Sequence, residues 1–241
     1  KGELHIDVAF LGASSSDPLG NACGYSRSEN AQSICGSLGY ALPDAEYADK
    51  VVILTDDLVN YPNTPASISE RYVDYVVQVD SVGDSSKIAS GAIRDTKNPR
   101  DILLAKQAAK VIEHSGYLTP GFSIQTGSGG ASLAVVKYLR NAMVEQNIKA
   151  SFALGGITAH MVKLHEEGLI ERLIDVQSFD KVAAESLKND AMHQEVSACE
   201  YASPDEPGSA VHYLDIVILS ALEADVNFNV NVLVGSDGII R

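Results

Sequence analysis

From Asn98 onward the apolar positions switch repeatedly between two periods, one helical and one strand-like. Ile102, Ala105, Ala108, Ala109 and Ile112 recur at helical spacing. Asn98 precedes them as a candidate N-cap, Pro99 suits the first helical position, and Asp101 complements the N-terminal dipole. Gly116 is expected to stop this helix. The pattern then predicts a strand over 122–125 and a helix over 132–147, with Leu133, Val136, Leu139 and Met143 on one stripe. A strand over 150–154 and a helix over 158–167, closed by Gly168, come next. A strand over 173–176 leads to a helix over 181–187, and strands are expected over 216–219 and 228–234. Strands alternating with helices predict an α/β fold of mostly parallel sheets with flanking helices.

The first 93 residues read differently. Strands are expected over 5–11, 50–54 and 75–80. Between the first two lies a segment, 12–40, loaded with Ser, Gly, Asn and Cys. A connection that long is expected to be functional or mobile. A second soft region spans 81–97. The change of pattern divides the chain at 1–93 and 94–241.

Charge and composition narrow the function classes. The 241 residues carry a net charge of −14, which argues against nucleic acid and against anionic membranes as partners. A polyanionic substrate would need a local basic or backbone N–H site. No apolar run approaches the ~18 residues of a membrane span, and no secretory signal is present. Cys23, Cys35 and Cys199 are odd in number and far apart, the pattern of reduced thiols in a cytoplasmic protein. No HExxH occurs, His160 and His165 fall on different helix faces, and no metal is expected. His5, His114, His193 and His212 read as isolated, structural or solvated residues. The chain starts at Lys1 and ends three residues after a sharp turn, so it is expected to be a piece of a longer protein.

The candidate chemistry sits at strand ends. Gln125-Thr126-Gly127-Ser128-Gly129-Gly130 lies between a strand and a helix. Glycines there let N–H groups face a ligand, and the helix N-terminus adds positive potential. A phosphate, a carboxylate or a developing oxyanion would suit it. It is neither a Walker loop nor a dinucleotide fingerprint, because no Gly-Lys-Ser/Thr follows and Ser132 stands where a third Gly or Ala would be. The alternative is that the glycines only permit tight strand–helix packing. Gly155-Gly156-Ile157-Thr158 and Gln177-Ser178-Phe179-Asp180 are two further strand ends, with Thr158 and Asp180 as candidate helix caps.

The fourth strand end is Gly235-Ser236-Asp237-Gly238, after the expected strand 228–234. A carboxylate held there is a candidate nucleophile or acid/base. The alternative is a local turn in which Ser236 and Asp237 bond the nearby backbone. Ligands in open parallel sheets bind at the carboxyl ends of strands, so the Gly127 loop and the Asp237 turn are expected to share one crevice.

The strings QTGSGGAS (125–132), SFALGGIT (151–158), DVQSFD (175–180) and FNVNVLVGSDG (228–238) resemble the alpha subunits of bacterial citrate lyase. So do IDVAFLG (6–12), CGSLGYA (35–41) and Tyr61-Pro62-Asn63. The resemblance covers nearly the whole chain. It implies tandem CoA-transferase-like domains, with 1–93 the end of the first and 94–241 most of the second. It implies a CoA-transferase-type enzyme, a citrate CoA-transferase, that exchanges acetyl for citryl on an acyl-carrier thiol and releases acetate. No cofactor would be tightly bound; the chain would act on the CoA-like prosthetic group of the acyl-carrier subunit, or on acetyl-CoA. The implied partners are the beta and gamma (acyl-carrier) subunits, citrate and an acetyl thioester, in an oligomer.

The catalytic residues so implied are Asp237, Gly129 and Gly130. Gln125, Thr126, Gly127, Ser128, Ser236 and Gly238 would bind the thioester donor, and Gly155, Gly156, Thr158 and Asn229 the substrate. Related transferases carry a nucleophilic Glu near the position of Asp237, and Asp is one methylene shorter. Arg94, Arg100 and Arg172 are candidate partners for citrate carboxylates. A general acyl-CoA transferase or thioester hydrolase, and a non-catalytic ligand-binding domain of the same fold, remain as alternatives.

Overall fold

The computed structural model describes residues 5–29, 31–88, 96–127 and 129–240. The strands of the first part are β1 (Val8–Ala13), the short pieces β2 (Ser15–Ser16) and β3 (Ala22–Cys23), β4 (Lys50–Thr55) and β5 (Tyr75–Gln78). Helix α1 (Ala41–Tyr47) precedes β4 and was not anticipated from the sequence. β1, β4 and β5 form a parallel sheet in that order. Its first strand starts later and runs further than the expected 5–11, because Val8 pairs with Lys50 and Ala13 with Thr55.

The segment 12–40 is anchored along much of its length. Ser14, Ser15, Ser16 and Asp17 are all buried. Asp17 Oδ1 accepts the N–H groups of Leu19, Gly20 and Asn21, and its Oδ2 accepts the N–H of Asn63 at 2.9 Å. Burial pushes this carboxyl up, but the bonds from Asn63, Asn21 and Leu19 outweigh it and hold the pKa below the ordinary value.

The second part is a five-stranded sheet of β6 (Ser123–Thr126), β7 (Ala150–Ile157), β8 (Ile170–Ser178), β9 (His193–Glu195) and β10 (Ile216–Ile218). The order is β10-β6-β7-β8-β9 and every pairing is parallel. The helices are α2 (Pro99–His114), α3 (Gly130–Gln146), α4 (Ala159–Glu166), α5 (Lys181–Asn189) and the short α6 (Ala198–Ala202). Asn98 caps α2 through Arg100 N–H, as its position predicts. Val136, Leu139 and Met143 of the α3 stripe are buried with Ala105 and Ala109 of α2 and with Ile157, Ile170 and Leu173 of the sheet, and Leu133 is buried as well. Burying each such aliphatic side chain contributes about 1.5–3 kcal/mol, which is what fixes the helices on this face. The domain division expected at 93 and 94 falls outside the described residues. No helix among the described residues is long and apolar enough to cross a membrane.

A polar joint connects the two parts. Ser37 N–H donates to Ser178 Oγ at 3.0 Å, and Ser37 Oγ donates to the Asp175 carbonyl at 3.0 Å. Glu195 on β9 accepts from Leu38 N–H, from Ser37 Oγ at 3.2 Å and from Ser67 Oγ at 2.5 Å. Burial raises the Glu195 pKa despite those three donors. Gly39 lies so close that a Cβ there would stand 2.1 Å from the Val196 carbonyl oxygen. Behind the joint, the fully buried Asp175 accepts from Ser178 Oγ at 2.6 Å and sits 3.1 Å from His193 Nε2. His193 Nδ1 lies 2.9 Å from Ser186 Oγ, so this histidine is not isolated but part of a buried network. His5 is not isolated either, since its Nε2 is 3.1 Å from Asp49 Oδ2.

The largest departure is at the carboxyl end. The expected strand 228–234 is reduced to β12 (Val230–Asn231), paired antiparallel with β11 (Glu223–Ala224). The apolar residues of this segment lie largely open to solvent: Phe228 is 90% exposed and Leu233 is 67% exposed.

Candidate active site

All five strands of the second sheet are parallel, so their carboxyl ends lie on one edge. β6 stands between β7, its successor in the chain, and β10, which arrives last. Strand order therefore reverses at the β10–β6 pair, the place where open α/β sheets form ligand crevices. The Gly127 loop leaves β6 there. Gly127 N–H donates to the Ile218 carbonyl at 2.8 Å, and Ser132 Oγ lies 3.2 Å from Ser220 Oγ. Ser220 was not singled out in the sequence, where nothing marks it until β10 is known to flank β6.

Helix α3 begins at this crevice. Its N-cap is Gly129, which has no side chain to accept the first-turn N–H groups. A glycine suits the position, because a Cβ at Gly129 would stand 3.3 Å from Ser220 Oγ. The uncapped end can receive an anion or a developing oxyanion. Ser128, the remaining member of the loop, lies outside the described residues.

Two hydroxyls beside this edge are unusual. Thr126 Oγ1 and Thr158 Oγ1, at the ends of β6 and β7, are buried with no hydrogen-bond partner. Leaving such a group unsatisfied costs about 1–3 kcal/mol, so each calls for a ligand or a water. Thr158 occupies the N-cap position of α4 but makes no capping bond. Asp180 does that work instead, accepting from Ala159 N–H at 2.7 Å and from Ala183 N–H at 2.8 Å. One carboxylate thus caps both α4 and α5.

Other predicted residues are occupied by packing. Gln125 Nε2 donates to Tyr201 Oη at 2.6 Å, and the Tyr201 ring meets Tyr40 edge-on. Gly155 has φ +105° and lies against the Gln125 side chain. A Cβ on Gly156 would fall 2.1 Å from the Phe179 ring. The absent side chains at 155 and 156 are therefore needed for close approach within the fold. Arg100 is exposed at the start of α2. Arg172 lies near the amino end of β8, with its guanidinium 5.9 Å from the Phe152 ring centroid. Arg94 lies outside the described residues.

The Asp237 turn does not end a strand of the five-stranded sheet. It closes a bridge between Val234 and Ile240 on the exposed ribbon. Asp237 Oδ1 accepts Ile239 N–H at 3.0 Å, and Gly238 supplies φ +74°. Ser236 donates its N–H and its hydroxyl to Glu223, and these bonds, with one from Asn231, hold the Glu223 carboxyl below its ordinary pKa. Asn229 donates both its N–H and its side-chain amide to Asp225. The structure thus gathers Thr126, Gly127, Gly129, Gly130 and Thr158 at one edge. It sets Asn229, Ser236, Asp237 and Gly238 on a separate ribbon that follows β10.

Comparison with known proteins agrees with this architecture. Likenesses of low identity show the fold alone: the alpha subunit of a malonate decarboxylase from Acinetobacter baumannii (TM-score 0.61, 16% identity, 97% of this chain and 42% of the other) and a 4-hydroxybutyrate CoA-transferase from Porphyromonas gingivalis (TM-score 0.51, 14% identity, 82% of this chain and 46% of the other). A Streptococcus mutans protein described as the alpha subunit of citrate lyase, solved in complex with citrate, superposes with a TM-score of 0.90 at 58% identity, over 99% of this chain and 46% of that one. The citrate lyase alpha chain of Haemophilus influenzae is 60% identical over 240 residues, which is 100% of this chain and 47% of the relative. The chain spans about half the length of the curated relatives it matches. The family described as "Citrate lyase, alpha subunit (CitF)" matches residues 1–241, and the chain belongs to that family.

Proposed function

We propose that this chain forms part of a citrate:acetyl-carrier transferase, the acyl-exchange subunit of a cytoplasmic citrate lyase complex. Residues 1–93 would contribute to a first CoA-transferase-like domain and residues 94–241 to a second. The observation that carries the reading is the 57–60% identity with citrate lyase alpha chains over 240 residues of this chain. The uncapped N-terminus of α3 at the reversal of strand order supports it, because that is a place for a thioester oxyanion.

In the proposed reaction, a citrate carboxylate oxygen attacks the carbonyl carbon of the acetyl thioester held on the carrier. The tetrahedral adduct places its oxyanion at the N–H groups around Gly129 and Gly130, each such donor being worth roughly 3–4 kcal/mol. Collapse breaks the carbon–sulfur bond and leaves a citryl–acetyl anhydride and a thiolate. The thiolate then attacks the citryl carbonyl and expels acetate. Thr126 and Gly127 would line the path of the donor, and Thr158 would take part of the acceptor. Asp237 orients the acceptor or acts electrostatically, because its short side chain is withdrawn relative to a glutamate and near-attack distances are about 3–3.5 Å. The alpha chain would work with a carrier subunit and a citryl-cleaving beta subunit, and would need no tightly bound cofactor of its own.

The test uses the full-length chain of this family carrying these residues, with the acetylated carrier. Mass spectrometry of the carrier should show citryl replacing acetyl when citrate is the acceptor. Equal turnover with acetate or butyrate would overturn the assignment. The same spectra should show no acyl adduct on Asp237; a trapped aspartyl species would replace direct attack by covalent catalysis.

A further inference from the structure

We infer that the groove between α3 and α4 is the docking surface for the acyl-carrier partner, gripping it through an acidic helix. The inference rests on the functional reading above. The groove has a volume of about 580 Å³. Val136 and Leu164 form an apolar floor, and Lys137, Arg140, His160 and Lys163 supply the polar walls. None of its lining residues is acidic, in a chain that has 32 acidic side chains against 18 Lys and Arg. Arg140 already holds Glu167 at 2.6 Å. Lys137 and Lys163 are exposed and have no acidic partner among the described residues.

An ordinary solvated helix face mixes signs, as Lys181, Glu185 and Lys188 do on α5. This one does not. An apolar floor under a single-sign rim is the arrangement that receives the apolar stripe of a helix with its acidic flanks. Complementary charge would steer such a partner and set its register. The place of the groove adds the second argument. Its α4 side opens at Ala159 and His160, directly after Thr158, and its α3 side belongs to the helix that begins at Gly130. A carrier seated there would hold its thioester arm toward the edge where the Gly127 loop and the two unsatisfied threonine hydroxyls lie.

The test reverses charge in the full-length chain, Lys137→Glu with Lys163→Glu, and compares two donors, the acetylated carrier and free acetyl-CoA. At low salt the KM for the carrier should rise at least about tenfold, and its dependence on salt should flatten. KM and kcat with acetyl-CoA should stay within about twofold, which also shows that the variant folds. Lys137→Gln with Lys163→Gln should give an intermediate rise. An unchanged carrier KM overturns the docking surface. An equal rise with acetyl-CoA also overturns it, assigning the groove to the phosphates of the small donor. A native chain that exchanges with neither donor overturns the functional reading itself, a result distinct from an active chain whose carrier KM ignores the reversals.

Discussion

The Gly127 loop and the Asp237 turn look alike as sequence, each a Gly-Ser step at the end of an apolar run, yet they are held by different forces. The first leaves a strand paired on both sides and opens a 17-residue helix whose stripe is buried. The second is held by Glu223, Asp237 and a single bridge, on a ribbon whose apolar side chains face solvent. Glycine at the sheet edge answers to neighbours far away in the chain, whereas glycine in the ribbon answers to its own φ angle. The same residue type therefore carries a tertiary constraint in one place and a local one in the other.

The contrast can be broken most visibly at Gly156. Gly156→Val drives a branched side chain into the Phe179 ring, and the urea midpoint should fall by the equivalent of about 3 kcal/mol. Adding Phe179→Ala should recover part of that loss, since the two sites touch.

Glu195 tests the support beneath the sheet. Glu195→Ala strands the Leu38, Ser37 and Ser67 donors and should cost about 2 kcal/mol. Because burial raises its folded pKa above the unfolded value, this group's contribution is full below the unfolded pKa and is lost as pH rises through the folded one. Glu195→Gln should flatten that part of the stability profile, measured by urea unfolding from acid to neutral pH.

Thr158→Val should work in the opposite direction. It replaces an unpaired buried hydroxyl with a methyl group, so stability should rise by about 1 kcal/mol while acyl exchange by the full-length chain falls. Loss of stability there would mean that the hydroxyl has a structural partner in solution.

The smallest effect belongs to the ribbon. Gly238→Ala places a side chain at φ +74° in open space, costing about 1 kcal/mol of turn stability. Amide exchange at Gly238 and Ile239 should quicken while the global urea midpoint stays put. A midpoint that moved with it would join the ribbon to the sheet's cooperative unit.

How far the sequence led depended on whether a segment's partners were local. The β6–α3–β7–α4–β8–α5 succession was legible because each helix shows its own stripe, and Asn98 and Asp180 bond the N–H groups their positions suggest. β9 is three residues long and displays no period, so it was missed along with Glu195. The residues 228–234 mislead for the converse reason. Their alternation is strand-like, but alternation reports which faces could be buried and not whether another strand exists to bury them. Thr158 was read as a cap, which a lone strand end allows; that Asp180 reaches back to Ala159 is visible only once β7 and β8 are neighbours. The site was legible as a set of loops, while its focus at the β10–β6 pair depended on a strand order that no motif records.

The joint between Ser37 and Glu195 also sets a timetable. The two residues are 158 positions apart. At synthesis rates of about 5–20 residues per second, Ser37 would be made roughly 8–30 s before Glu195 exists to meet it. During that interval the first sheet can form, but the loop around Ser37 has nothing to close upon. The nascent chain thus passes through a stage in which half of a polar seam waits in water for its other half.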